Sequence, residues 1–128
     1  MSLDFYTETH DFIQIFKFNR STDEAVSQWA EAIEHAIESR PLNDPFYILL
    51  DVTGDEVEFT AMARQESKRI FSKHQTHRGY VAMLFEWRTS PYFARLFFAS
   101  LGKLSFKLNY FSDAEKARQW LHEMYNTA

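Results

Sequence analysis

Phe12-Ile13-Gln14-Ile15-Phe16-Lys17-Phe18 is an apolar stretch of strand length, broken only by Gln14 and Lys17, and reads as a strand, whose side chains project to alternate faces with a two-residue period. Residues 3 to 8 have the same character, and Glu8-Thr9-His10-Asp11 between them supplies turn residues, so the chain is expected to open with a hairpin. The period then lengthens. Val26, Trp29, Ala30, Ile33, Ala36 and Ile37 fall on one face of a helix that Ser21-Thr22-Asp23-Glu24 introduces as a capping box, with a Ser hydroxyl for the free amides. Arg40-Pro41 and Asp44-Pro45 stop that helix. The following run, Phe46-Tyr47-Ile48-Leu49-Leu50-Asp51-Val52, is continuously apolar over the length of one strand, which predicts a central strand covered on both faces.

From Thr60 to His74 the helical pattern is weaker. Its apolar contacts are limited to Phe59, Met62, Ala63, Ile70 and Phe71, so much of this second helix is expected to face water. Gly79 precedes a further buried-type strand, Tyr80-Val81-Ala82-Met83-Leu84-Phe85-Glu86. A third helix is expected with Pro91 in its first turn and its end at Gly102. A last strand over 104 to 111 and a fourth helix, capped by Ser112-Asp113-Ala114-Glu115, complete the chain. Strands separated by helices imply right-handed crossovers and a parallel sheet, with the hairpin adding an antiparallel edge. The fold class expected is therefore α/β, one mainly parallel sheet with an N-terminal hairpin strand and about four helices, in a single domain spanning residues 1–128.

Composition narrows the chemistry. Of 128 residues, 45% are hydrophobic and 17% aromatic, ample for one core, while three glycines leave no room for glycine-rich phosphate loops or a nucleophile elbow. No cysteine is present, which excludes disulfides, thiolate zinc sites and thiol nucleophiles together. A net charge of −4 argues against a nucleic-acid surface. No run of about 18 apolar residues and no leader-like start is found, so no membrane span and a cytoplasmic location are expected.

Two segments carry a family resemblance: Leu50-Asp51-Val52-Thr53-Gly54 leaving the central strand, and the ending Tyr110-Phe111-Ser112-Asp113-Ala114-Glu115-Lys116-Ala117-Arg118-Gln119-Trp120-Leu121. With the order of elements, these resemble the SpoIIAA-like (STAS-like) proteins. That family includes anti-sigma-factor antagonists switched by phosphorylation of a Ser in an Asp-Ser-Ser-Gly motif at the start of the second helix. Laid without gaps from Leu50-Asp51, the motif falls on Phe59-Thr60-Ala61-Met62, which makes Thr60 the phosphoacceptor candidate. Phe replaces the motif's Asp and Met its Gly. Thr60 has a competing structural role as a helix N-cap.

The third expected helix is unusually apolar. In Pro91-Tyr92-Phe93-Ala94-Arg95-Leu96-Phe97-Phe98-Ala99-Ser100-Leu101 the apolar residues sweep an arc of roughly 240°, where one face against a sheet needs little more than 100°. Neighbouring helices, a homodimer through residues 91–101, or an apolar ligand in a cleft with Phe85, Trp87, Phe93, Phe97 and Phe98 could each cover the excess. The second helix carries Arg64, Lys68, Arg69 and Lys73, with Arg78, His74 and His77 beyond it. Arg64 and Lys68 are candidates for a protein partner's surface, although a plain solvated face is the competing assignment. His74 and His77 have the i, i+3 spacing of two metal ligands, but no third ligand is evident, and neither a metal nor a cofactor is expected. Asp51 and Glu86, at neighbouring strand ends, could act as an acid and base pair assisted by His10 or His35, or simply bond loop amides. The function expected is a non-catalytic regulatory or protein-interaction module, with a carrier or sensor of a small apolar ligand as the alternative.

Overall fold

The computed structural model describes residues 4–41, 43–54, 56–58, 60–86, 99 and 104–127. The hairpin forms from β1 (Phe5–His10) and β2 (Ile13–Phe18), paired antiparallel from Phe5 opposite Phe18 to His10 opposite Ile13. Its turn is tighter than the run Glu8-Thr9-His10-Asp11 suggests. Residues 8 to 10 remain in the strand, and the reversal falls on Asp11 and Phe12. Asp11 has φ 55°, a left-handed conformation that its short polar side chain tolerates better than most.

Helix α1 (Asp23–Glu38) follows, then β3 (Phe46–Asp51), α2 (Ala61–Lys73), β4 (Gly79–Leu84), β5 (Lys107–Phe111) and α3 (Ala114–Thr127). The strands stand in sequence order, β1-β2-β3-β4-β5, with every pair after the hairpin parallel. Three helices therefore lie among the described residues. The helix expected over 91–101 lies outside them except for Ala99.

Both caps expected to begin at a Ser are displaced by one residue. Thr22, not Ser21, caps α1 by accepting from the Ala25 amide at 3.1 Å. At α3 the Asp113 carboxylate, not Ser112, accepts from the Glu115 amide at 2.9 Å. Ser21 is used elsewhere, as shown below.

Alternation along the strands divides the core in two. Phe16, Phe18, Ile48, Leu50, Val81 and Met83 face α1 and α2, joining Val26, Trp29, Ile33, Ile37, Ile70 and Phe71. Ile13, Ile15, Tyr47, Leu49, Ala82 and Leu84 face the other way, where Ala117 and Leu121 of α3 cover part of the sheet. Phe46 through Leu50 are all buried, so the unbroken apolar run of β3 reflects a strand covered on both sides.

Candidate functional site

The loop that leads from β3 into α2 is held against the loop between β2 and α1. Gly54 lies against the backbone of Phe18 and Asn19, where a Cβ would stand 2.7 Å from the Phe18 carbonyl oxygen, so any side chain there would push the loops apart. Arg20 and Glu56 pair through their side chains and form an isolated parallel bridge through their backbones. The Glu58 amide donates to Ser21 Oγ at 2.8 Å, which explains why that hydroxyl is not the cap of α1. These ties deliver the chain to Thr60, whose Oγ1 accepts from the Ala63 amide at 3.1 Å. Thr60 is thus the N-cap of α2, the structural role weighed for it above.

Only Ser67, Ile70 and Phe71 of α2 are buried. Arg64, Gln65 and Lys68 are exposed, and Lys68 makes no ion pair among the described residues. The cations one turn further on are differently placed. Arg69 bonds Glu66 on its own helix and Glu34 on α1, and Lys73 reaches Glu34 at 2.9 Å and Glu38 at 3.4 Å. The basic run is thus two groups: an outward pair at 64 and 68, and a pair that ties α2 to α1.

His74, the C-cap of α2, is buried, and its Nε2 lies 3.4 Å from both Glu34 Oε2 and Glu38 Oε1. The sequence offers His74 no carboxylate partner, but the fold supplies two, while His77 is not part of this cluster. Glu34 and Glu38 stand one turn apart on α1, and a face carrying Glu31, Glu34 and Glu38 reads as a solvated stripe until α2 is known to lie beside it. The hydrogen bond from Lys73 holds the Glu34 carboxyl below its ordinary value, helped by His74 and Arg69 against the opposing effect of burial. The same bond raises the Lys73 ammonium, with Glu38 adding to it.

Beneath the N-terminal half of α2 is a small apolar cleft, open to solvent, at the carboxyl ends of β2 and β3. Phe18, Val26, Trp29, Leu50, Val52 and Ala63 line it. The buried indole Nε1 of Trp29 has no hydrogen-bond partner among the described residues.

Asp51 lies between Leu50 and Val52 and therefore points to the opposite face from this cleft. Its Oδ1 accepts from the Thr53 amide at 2.9 Å and the Thr53 hydroxyl at 2.6 Å, the loop-bonding role of a carboxylate at a strand end. Lys17 lies 3.9 Å from its other oxygen. Glu86 is half-buried two residues past β4. Neither histidine suggested as a helper is placed to assist Asp51: His10 is exposed where the hairpin turns, at the opposite end of β2 from the residue paired with Asp51, and His35 is exposed on α1. Trp87, Phe93, Phe97 and Phe98, the candidates for a dimer interface or apolar ligand cleft, lie outside the described residues.

No family model and no curated protein matches the chain. Among solved structures, it superimposes on an uncharacterized protein from Shewanella loihica PV-4, of the DUF3478 family with a SpoIIAA-like fold, at a TM-score of 0.59 and 24% identity over 91% of each chain. The fold is SpoIIAA-like. Within this SpoIIAA-like frame, α2 is the less buried of the two helices on its face of the sheet. No described helix is long and apolar enough to cross a membrane.

Proposed function

We propose that this SpoIIAA-like domain is a non-catalytic regulatory module that binds a protein partner through the outward face of α2. The observation that carries this reading is the contrast within one helix: Lys68 is exposed and makes no ion pair among the described residues, while Arg69 and Lys73 are engaged by carboxylates of α1 and α2. Lys68, exposed and without an ion pair among the described residues, lies on a helix whose loop is tied in place by Arg20, Ser21, Glu56 and Glu58, and so presents charge from a positioned element. Such groups steer encounter and set partner choice more than they stabilise the fold. The hydrogen bonds of Asp51 to Thr53 favour a structural assignment for that carboxylate over acid and base chemistry. The partner surface complementary to Arg64 and Lys68 is acidic.

The test is charge reversal at both positions in the protein's native cells. Complexes captured with the parent chain are expected to be lost or weakened with the Arg64→Glu, Lys68→Glu double variant, and weakened more at low ionic strength than at high. A partner retained at equal strength by the folded double variant would remove α2 as the contact surface.

A further inference from the structure

The carboxylate and histidine cluster between α1 and α2 has the donor set and the spacing of a metal centre. His74 Nε2 and one oxygen from each of Glu34 and Glu38 all lie within 4.8 Å of one another. Both nitrogen-to-oxygen separations are 3.4 Å. Ligands on a tetrahedral ion with bonds of about 2.0–2.1 Å stand about 3.3–3.4 Å apart, so these two separations need almost no adjustment.

The three donors come from rigid places. Glu34 and Glu38 are held one turn apart by α1, and the imidazole, 8% exposed, is fixed by the helix cap, whose backbone amide donates to Ile70, and by the His77 ring packed edge-on against it. Glu34 divides its two oxygens: Oε1 accepts from Arg69 at 3.4 Å, while Oε2 faces His74. A carboxylate steadied through one oxygen by a neighbouring donor and offering the other is the usual arrangement of a metal ligand.

A cation already sits between the carboxylates. The Lys73 ammonium is 2.9 Å from Glu34 Oε2 and 3.4 Å from Glu38 Oε1, at the end of a side chain that is 57% exposed and free to swing outward. We propose that Glu34, Glu38 and His74 bind one Zn²⁺ ion, with the Lys73 ammonium occupying the site in its absence and leaving to solvent when the ion enters. One nitrogen and two carboxylate oxygens suit Zn²⁺ better than Mg²⁺ or Ca²⁺, which prefer oxygen alone, and three protein ligands leave the fourth position to water. The bound ion would join α1 to the end of α2 and fix the helix that we assign to partner binding, although the site stands whether or not that assignment holds.

Titration calorimetry with Zn²⁺, and visible absorption with Co²⁺ as its four-coordinate stand-in, test this on the whole chain. The parent is expected to take up one equivalent. Glu38→Gln, on a half-exposed side chain that the fold can spare, is expected to weaken binding at least about tenfold, and His74→Gln likewise. Lys73→Ala removes the competing cation and is expected to tighten it. His10→Gln, which alters the separate surface pair of His10 with Glu8, is expected to change nothing. Absence of saturable binding to the parent, or a binding constant that Glu38→Gln leaves unchanged, would overturn the proposal.

Discussion

Helices α1 and α2 lie side by side on the same face of one sheet but are held there by different forces. Along α1 seven residues, Ala25, Val26, Trp29, Ala30, Ile33, Ala36 and Ile37, are buried in a continuous stripe. Along α2 only Ser67, Ile70 and Phe71 are buried, all in its C-terminal half, and the same half carries the ionic ties to Glu34 and Glu38. Apolar burial stabilises by about 25 cal/mol per Å² without depending on any ionised group, whereas exposed ion pairs contribute under about 1 kcal/mol and are screened. One helix is thus a fixed part of the core. The other is anchored mainly through its C-terminal half, with Met62 and Ala63 only partly buried nearer its start, and its outward face, with Lys68, is left to interact with something else.

Five variants measure that inequality. The largest effect is expected at Ile33, 2% exposed in the middle of the α1 stripe: Ile33→Ala should cost about 3 kcal/mol in chemical denaturation, from lost burial and the cavity left behind. Next come the caps, which both helices share: Thr22→Ala and Thr60→Ala should each cost about 1 kcal/mol, because each hydroxyl satisfies one helix amide. Equal losses there would show that the helices differ in packing rather than in capping.

Glu34→Gln should cost about 0.5 kcal/mol near neutral pH, as expected for a partly solvated network. Because the folded state holds the Glu34 carboxyl below its ordinary value, its contribution is present above the unfolded value and lost as pH falls through the folded one. The parent and Glu34→Gln should therefore converge in stability on acidification below the usual carboxylate range. The smallest effect is expected from Arg64→Glu with Lys68→Glu, within about 0.5 kcal/mol of the parent in thermal or chemical unfolding. A larger loss would mean that these cations support the fold and are not free to serve a partner.

The features legible in the sequence were those set by local period. The central strand announced itself at Phe46 to Asp51 because a strand buried on both faces cannot alternate, and α1 because its apolar residues recur every three or four positions. Thr60 could be placed at the start of α2 for the same reason. The hairpin turn was set too early because Glu8, Thr9 and His10 are polar, although exposure on an edge strand accounts for polarity as well as a turn does. The cap of α1 was missed by one residue because the neighbouring loop claims Ser21, a long-range hydrogen bond that no local motif encodes. The cluster of Glu34, Glu38 and His74 was hidden for a stronger reason. His74 lies 36 and 40 positions from Glu38 and Glu34, and they meet only because the crossovers put α1 and α2 on one face of the sheet.

Amide hydrogen exchange read helix by helix tests the unequal anchoring most directly. The account predicts that the amides of α1 exchange only through global unfolding, that those of α2 before Ser67 exchange through a smaller local opening, and that Glu34→Gln speeds exchange in α2 while leaving α1 at the global rate. Equal protection along both helices, unchanged by Glu34→Gln, would contradict it.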